Sequence, residues 1–500
     1  MSTVAVVRPR SPRLLAVLGV VLAGAVAGAA LLIGANAGGA LIVAAPVGAV
    51  VLWWLARHPG VAAGLLFGLP LLLESDPQGF LPVARFYSRI AKLASPTDVL
   101  LVIAVIAAAV ELSRRRQRLA LPGPFTYPLL LLALSMVWGE VVGVANGASR
   151  VYALNDADAL LYVVLAPVLV VNLVRRRQQV VQVMGGLAAM AVLKSLIGLG
   201  GWAAGKGRPL AGTHLTYYDP TPNLLLSAVV LTATAAVLAQ VRLPRWVKVG
   251  MVLSLVTLLL SFRRSFWIGD GLAVAVIVLV ASGQGRRWAV LGGVAAVGIA
   301  IAAALSFGGA GSAISTSSPL VQRVASISPT AVQQTAGDRY RIDEDRNVIA
   351  ELIDHPVTGI GLGVPWTARY PMATASTGSS QYYNHVVILF LWLKLGLPGV
   401  IAYLWLWIVI LATGWRLWRS SAPAVVRVGA LGLAGTLMAL AVVELTASFT
   451  GADPRASMVI GGAIGLLAAA RTLWPDGAAG EVGGQGEDRR PEPGFAESLG

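Results

Sequence analysis

Apolar runs of about 20 residues, each long enough to cross a bilayer as a helix, recur along almost the whole of this 500-residue chain. Nothing else in the sequence constrains the fold as strongly. Inside hydrocarbon every backbone N–H and C=O must be satisfied within the segment itself, so such runs become helices. Only 12% of the residues are charged, about half the share of a soluble domain. This excludes a soluble enzyme, a nucleic-acid binder and a secreted disulfide scaffold. The expected fold class is all-α integral membrane, a polytopic bundle of about 12–14 transmembrane helices with one large external loop.

The spans fall near residues 14–34, 39–56, 60–73, 97–112, 125–142, 157–174, 179–202, 222–241, 245–261, 265–282, 287–307, 385–412, 426–447 and 456–472. The net charge of +15 then reads as Lys and Arg gathered on cytoplasmic loops. With the N-terminus inside, Arg57, the Arg114–Arg118 cluster, Arg175–Arg177, Arg242 with Arg245 and Lys248, Arg286–Arg287, and Arg416 with Arg419 and Arg427 all land on one side. Both termini are expected in the cytoplasm of a cell (inner or plasma) membrane. Residues 1–307 read as an N-terminal transmembrane bundle, 308–384 as an external catalytic loop, 385–472 as C-terminal transmembrane helices, and 473–500 as a disordered cytoplasmic tail rich in Gly, Glu and Pro. The external segment 74–96 is amphipathic enough to lie on the membrane surface. The chain has no cysteine, so no thiolate nucleophile or Cys-ligated metal is available.

Charges on the external side are the informative ones. Ser261-Phe262-Arg263-Arg264-Ser265 joins two spans through a turn with no room for a loop. Its arginines are either snorkelling side chains or an anion site, since a guanidinium offers phosphate a planar donor fork. The stretch from Arg339, Arg341 and Arg346 to Ile353 predicts an amphipathic helix ending near His355-Pro356. Asp343-Glu344-Asp345 within it makes a poor metal site, because three consecutive helical residues do not share a face. The Gly359-Ile360-Gly361-Leu362-Gly363 run lacks the strand and helix of a nucleotide-binding fingerprint and reads as a tight turn. Tyr382-Tyr383-Asn384-His385 opens a span. Aromatics and an amide suit sugar stacking and hydrogen bonding, and a neutral imidazole can take a proton from a hydroxyl. Lys394, nominally inside that span, needs a partner or a wet cavity. The loop 203–221, with Lys206, Arg208, His214, Tyr217, Tyr218 and Asp219, is polar and aromatic.

In this order the groups resemble the O-antigen ligase/polymerase family of polytopic glycan-assembly proteins. Arg341 precedes a short helix and the turn Asp354-His355-Pro356-Val357-Thr358-Gly359-Ile360-Gly361. His385 opens a span carrying Gly396 and Gly399. Ser261-Phe262-Arg263-Arg264 follows a span, and Tyr218-Asp219-Pro220-Thr221-Pro222-Asn223 enters one. The resemblance covers roughly 215–400 and implies a GT-C-like fold. It further implies transfer of a glycan from a polyprenyl-diphosphate carrier to an acceptor hydroxyl on glycan, lipid or cell wall at the external face. Neither nucleotide nor metal is implied as a cofactor, and membrane lipids rather than nucleic acid are the surroundings. His385 and Arg341 are the expected catalytic residues. Arg263, Arg264, Arg339, Arg346, Tyr382, Tyr383, Asn384 and His214 are expected to bind substrate. Polymerase and ligase need the same site. The alternative is a multi-spanning polysaccharide or lipid-linked sugar transporter or flippase without covalent chemistry.

Overall fold

The computed structural model describes residues 58–72, 95–205, 209–210, 213–214, 221–281, 336–372, 381–451 and 453–475. The spans expected at 14–34, 39–56 and 287–307 lie outside the described residues, as do the surface segment 74–94, the loop portion 308–335 and the tail beyond Pro475.

In chain order the helices are α1 (Pro59–Leu72), α2 (Pro96–Arg115), α3 (Thr126–Ala145), α4 (Arg150–Leu173), α5 (Arg177–Ala203), α6 (Asn223–Leu238), α7 (Arg245–Leu260), α8 (Arg264–Ala281), α9 (Ala336–Asp354), α10 (Val387–Trp418), α11 (Ala424–Val443) and α12 (Pro454–Leu473). A single 3-10 turn, Gly123–Phe125, precedes α3, and a minimal antiparallel pair joins Pro209–Leu210 with Thr213–His214. Seven of the described helices are long and apolar enough to cross a membrane. The chain is an all-α polytopic membrane protein, and its described helices start and stop within a few residues of the expected spans. The largest departure is α4, which begins at Arg150 rather than 157.

Local sequence sets the helix ends. Ser95 caps α2 by accepting from the Asp98 N–H at 3.2 Å, while Asp98 accepts from the Ser95 N–H at 2.6 Å, a reciprocal capping box. Asp453 caps α12 ahead of Pro454 and accepts from the Arg455 N–H at 2.9 Å. Proline at the first helical position sacrifices no hydrogen bond, because that N–H has no intrahelical partner.

Packing is closest where side chains are small. Gly461 and Gly465 of α12 lie against Tyr162, Pro167 and Val170 of α4, so that a methyl group on either would strike α4. Such small-residue seams let helices approach where lipid offers no hydrophobic drive between them. Helix α11 is sandwiched by α6, α8 and α10, and α3 packs along α10.

The two ends of the bundle differ in chemistry. At one end Arg175 donates to the Gln117 side chain at 2.6 Å and the Arg118 carbonyl at 3.1 Å, and Arg177 donates to the Leu473 carbonyl at 3.3 Å. This end carries the basic loops. At the other end the start of α10, the end of α11, the start of α12 and the upper face of α9 converge.

Candidate functional site

Helix α10 is where the site is anchored, and it is broken. Gly396 has φ 70 and Pro398 follows two residues later. Because Pro398 lacks an N–H and Gly396 is left-handed, the helical ladder opens here. In an unbroken helix the Leu397 N–H would bond the Leu393 carbonyl. Instead Leu397 donates to the Val357 carbonyl at 3.0 Å, and the Leu393 carbonyl accepts from the Ile360 N–H at 2.8 Å. The turn after α9 thus plugs the gap and satisfies both orphaned groups. A Cβ at Gly396 would lie 2.3 Å from the Val357 carbonyl oxygen, which explains a glycine at this exact level of the span.

The same turn is clamped from α3 and α4. Leu362 donates to the Gly139 carbonyl at 2.9 Å, and Asn146 donates to the Ile360 carbonyl at 3.0 Å. Gly361 has φ 94, and a Cβ there would sit 2.2 Å from the Gly143 nitrogen. The Gly363 N–H bonds Asp156 at 2.9 Å, and Lys394 bonds the Val364 carbonyl at 2.6 Å. Lys394 and Asp156 form an ion pair at 3.4 Å. Lys394 therefore has the partner its position demands. The glycine run is a turn, as its sequence suggests, and it docks into the bundle rather than cradling a ligand.

Helix α9 runs against the first half of α10. Its buried Val348 and Leu352 pack with Ile360, Trp366 and Leu393. Asn347 stitches the following segment to it, accepting from the Arg369 and Tyr370 N–H groups at 2.7 Å each. This fixes the helix rotation, and the rotation decides which charges meet His385. Glu344, fully buried, accepts from the His385 backbone N–H at 3.0 Å and pairs with His385 Nδ1 at 2.7 Å. Tyr340, one turn earlier, donates to Glu344 at 3.3 Å. Asp345 accepts from Asn384 at 2.9 Å, while Asn384 caps the chain entering α10 by accepting from the Val386 N–H at 2.8 Å. Burial raises the Asp345 carboxyl above its usual range, and Glu344 pushes the same way against Asn384, His385 and Arg341.

In the tautomer that donates Nδ1–H to Glu344, the imidazole presents Nε2 as a proton acceptor. The carboxylate both fixes the ring and stabilises the cation formed on protonation, as the acid of a catalytic triad does. The imidazole keeps 25% of its side-chain surface exposed and is flanked edge-on by Tyr383 and Tyr340, at ring-centre distances of 4.9 and 6.3 Å. Tyr383 is held in turn by donation to the Ser448 carbonyl at 3.3 Å. Its phenol is pushed up by burial and by the nearby Glu344 charge.

The structure brings some of the expected residues together and separates others. Arg341, half-buried one turn before Glu344 and Asp345, is close enough to act electrostatically on Asp345 and Tyr383. Asn384 and Tyr383 frame His385. Arg263 and Arg264 sit on the tight turn between α7 and α8, where Phe262 is left-handed at φ 52. Phe266 just beyond them packs edge-on against Phe449 at 6.2 Å, in the same turn that holds Tyr383. The arginine turn therefore lies at the His385 end of the bundle. Tyr382 instead stacks on Tyr152 at 3.6 Å and lies over Lys394. Arg346 stacks on Tyr370 at 4.0 Å, and Arg339 is exposed; both point away from His385. His214 lies in the small antiparallel pair, and Tyr217, Tyr218 and Asp219 lie outside the described residues.

Three residues escape sequence reasoning. Glu344 hides in an acidic triplet that looks solvated. Asp453 receives both the Thr221 hydroxyl at 2.5 Å and a two-pronged contact from Arg455 at 2.8 and 2.9 Å. This ties the Pro222-Asn223 entry to the start of α12. Glu444, fully buried at the end of α11, accepts from Tyr403 and from the Thr450 N–H at 2.8 Å, while its carbonyl takes the Val387 N–H at 3.0 Å. It shapes the turn against which Tyr383 and Phe266 rest.

No curated protein matches the chain. A family model does: that of O-antigen ligase, over residues 249–404, a stretch running from α7 through the paired arginines, α9 and His385 into the middle of α10. Over residues 249–404 this multi-pass membrane protein is similar to the O-antigen ligase family.

Proposed function

We propose that this protein is a metal-independent glycosyltransferase that moves a glycan from a polyprenyl-diphosphate carrier to an acceptor hydroxyl at the external face of the membrane. The observation that carries this reading is the buried Glu344 carboxylate gripping both the backbone N–H and Nδ1 of His385, one helical turn from Arg341. In the proposed step the acceptor hydroxyl gives its proton to His385 Nε2 as its oxygen attacks the anomeric carbon. The bond from that carbon to the diphosphate breaks, and the leaving diphosphate takes the electron pair. Its growing charge needs fixed cations, a role assigned to Arg341 with Arg263 and Arg264. Asn384 and Tyr383 keep the imidazole and its entry chain in place.

The test is the lipid-linked glycan profile of source cells lacking the gene, complemented with wild type or with His385→Ala. Accumulated single repeats on the carrier identify a polymerase, and full-length polymer stranded on the carrier identifies a ligase. The His385→Ala protein is expected to insert normally and to restore neither. An unchanged profile in the deletion strain, or full rescue by His385→Ala, overturns the reading.

A further inference from the structure

Two of the arginines expected near the diphosphate face elsewhere, and what they share that face with points to a ligand of another kind. Along α9, Arg339, Ile342, Arg346, Ile349 and Ile353 follow one another at spacings of three and four residues, which places them on a single helical stripe. The opposite face is the buried one, with Glu344, Val348 and Leu352 against α10. The stripe is open: Ile342, Ile349 and Ile353 are 49%, 48% and 72% exposed, and Val357, at the foot of the helix, is 60% exposed.

Two observations say what covers it. The first is continuity. Val357 is hydrogen-bonded to Leu397 at the break in α10, and from Leu397 the exposed apolar surface runs on through Ile401 and Ile408 of that spanning helix. The α9 stripe is thus the upward extension of a surface whose length and hydropathy suit acyl chains. The second is charge. The cations on the stripe are Arg339 and Arg346, both in its upper half and interleaved with isoleucine, whereas the lower half is purely apolar. Cations above and aliphatics below is the gradient of a lipid leaflet, phosphates over hydrocarbon. The flank beside Ile353 carries Asp354, but it is neutralised by an ion pair with Arg369.

We infer that the outer face of α9 is a lipid-contact surface, seated in the headgroup boundary of the leaflet with Arg339 and Arg346 on anionic lipid phosphates and Ile349, Ile353 and Val357 among the acyl chains. The helix that carries Arg341 and orients His385 is then fixed at the depth where a membrane-bound phosphate group lies. The inference concerns bulk lipid and stands whether or not glycan transfer does.

Because the chain has no cysteine, single nitroxide labels at Ile349→Cys, Ile353→Cys and, as a water-facing control, Thr367→Cys can be placed in the full-length protein in phosphatidylcholine nanodiscs. Collision with oxygen is expected to exceed collision with a water-soluble nickel chelate at the two isoleucine sites and to fall below it at Thr367→Cys. Nickel dominance at the isoleucine sites would make the stripe a water-facing surface, and protection from both reagents would mean that another part of the chain covers it; either result overturns the inference. In parallel, adding phosphatidylglycerol is expected to raise the thermal midpoint of the wild type, and Arg339→Gln/Arg346→Gln should remove that increment. An increment unchanged by the double substitution overturns the assignment of the arginines to lipid phosphate.

Discussion

At the level of single residues, the meaning of His385 depends on a neighbour forty-one positions away. A lone histidine at the mouth of a span is unremarkable; one whose Nδ1 and backbone N–H both end on a buried carboxylate is oriented for proton transfer. Glu344→Gln keeps the shape and loses the charge that stabilises an imidazolium. Since general-base catalysis contributes about 10²–10⁴-fold, transfer is expected to fall at least tenfold, with the protein inserted and its thermal midpoint little changed. Assays with purified protein and lipid-linked donor would decide it, and wild-type rates in Glu344→Gln would remove Glu344 from the mechanism. Asp345 behaves oppositely. Burial raises its folded-state value above the ordinary 3.8, so ionising it opposes folding: stability is full below the unfolded value and declines as pH rises through the folded one. Asp345→Asn keeps the acceptor for Asn384 and removes that penalty. It is expected to raise the melting midpoint near neutral pH, with the gain vanishing as pH falls below about 4. His385 stood out in the sequence as a candidate because it opens a span, and Arg341 because the resemblance places an arginine ahead of the His-Pro-Gly turn. Glu344 was not, since three acids in a row look like a solvated face until the helix rotation is known.

At the level of elements, apolar length was legible and what interrupts it was not. The described spans follow from runs of uncharged residues, because hydrocarbon leaves the backbone no other solution. The break in α10 also has a local cause in Gly396 and Pro398. What no local pattern shows is that the turn at Val357–Gly363 supplies the missing hydrogen-bond partners, or that Lys394 of α10 meets Asp156 of α4. The first contacts join residues 33 and 40 positions apart and the last joins residues 238 apart, and periodicity carries no information about either. The pair is a clamp on the turn: Asp156 also holds the Gly363 N–H, and Lys394 the Val364 carbonyl. Lys394→Met should therefore cost about 3–5 kcal/mol, chiefly by leaving a buried carboxylate without its counter-ion. The double substitution Lys394→Met/Asp156→Leu should recover much of that loss. Thermal unfolding in detergent measures both. A neutral single substitution, or a double that is simply the sum of the two singles, would show that the pair does not act as a unit.

At the level of the whole molecule, the asymmetry between the two ends carries the functional reading. Helices alternate in direction, so a chain with short connections sorts its loops into two sets, and here the sets differ in kind. One holds the Arg175–Gln117–Arg118 contacts and the Arg177 contact with the last turn of α12. The other holds α9, His385, the Arg263-Arg264 turn and the Asp453–Thr221 tie. If Lys and Arg are retained on the cytoplasmic side, the first set is expected in the cytoplasm and the second outside, where the proposed transfer would take place. Orientation is thus a prediction about every loop at once, and two positions suffice to test it. In the cysteine-free chain, Thr367→Cys, exposed beside α9, should react with a membrane-impermeant maleimide in intact spheroplasts. Arg114→Cys, exposed at the basic end, should react only after permeabilisation. The reverse pattern would put His385 in the cytoplasm and exclude an external transferase. Labelling of both positions in sealed cells would mean that the described helices do not separate the two ends, which is incompatible with seven of them spanning a bilayer.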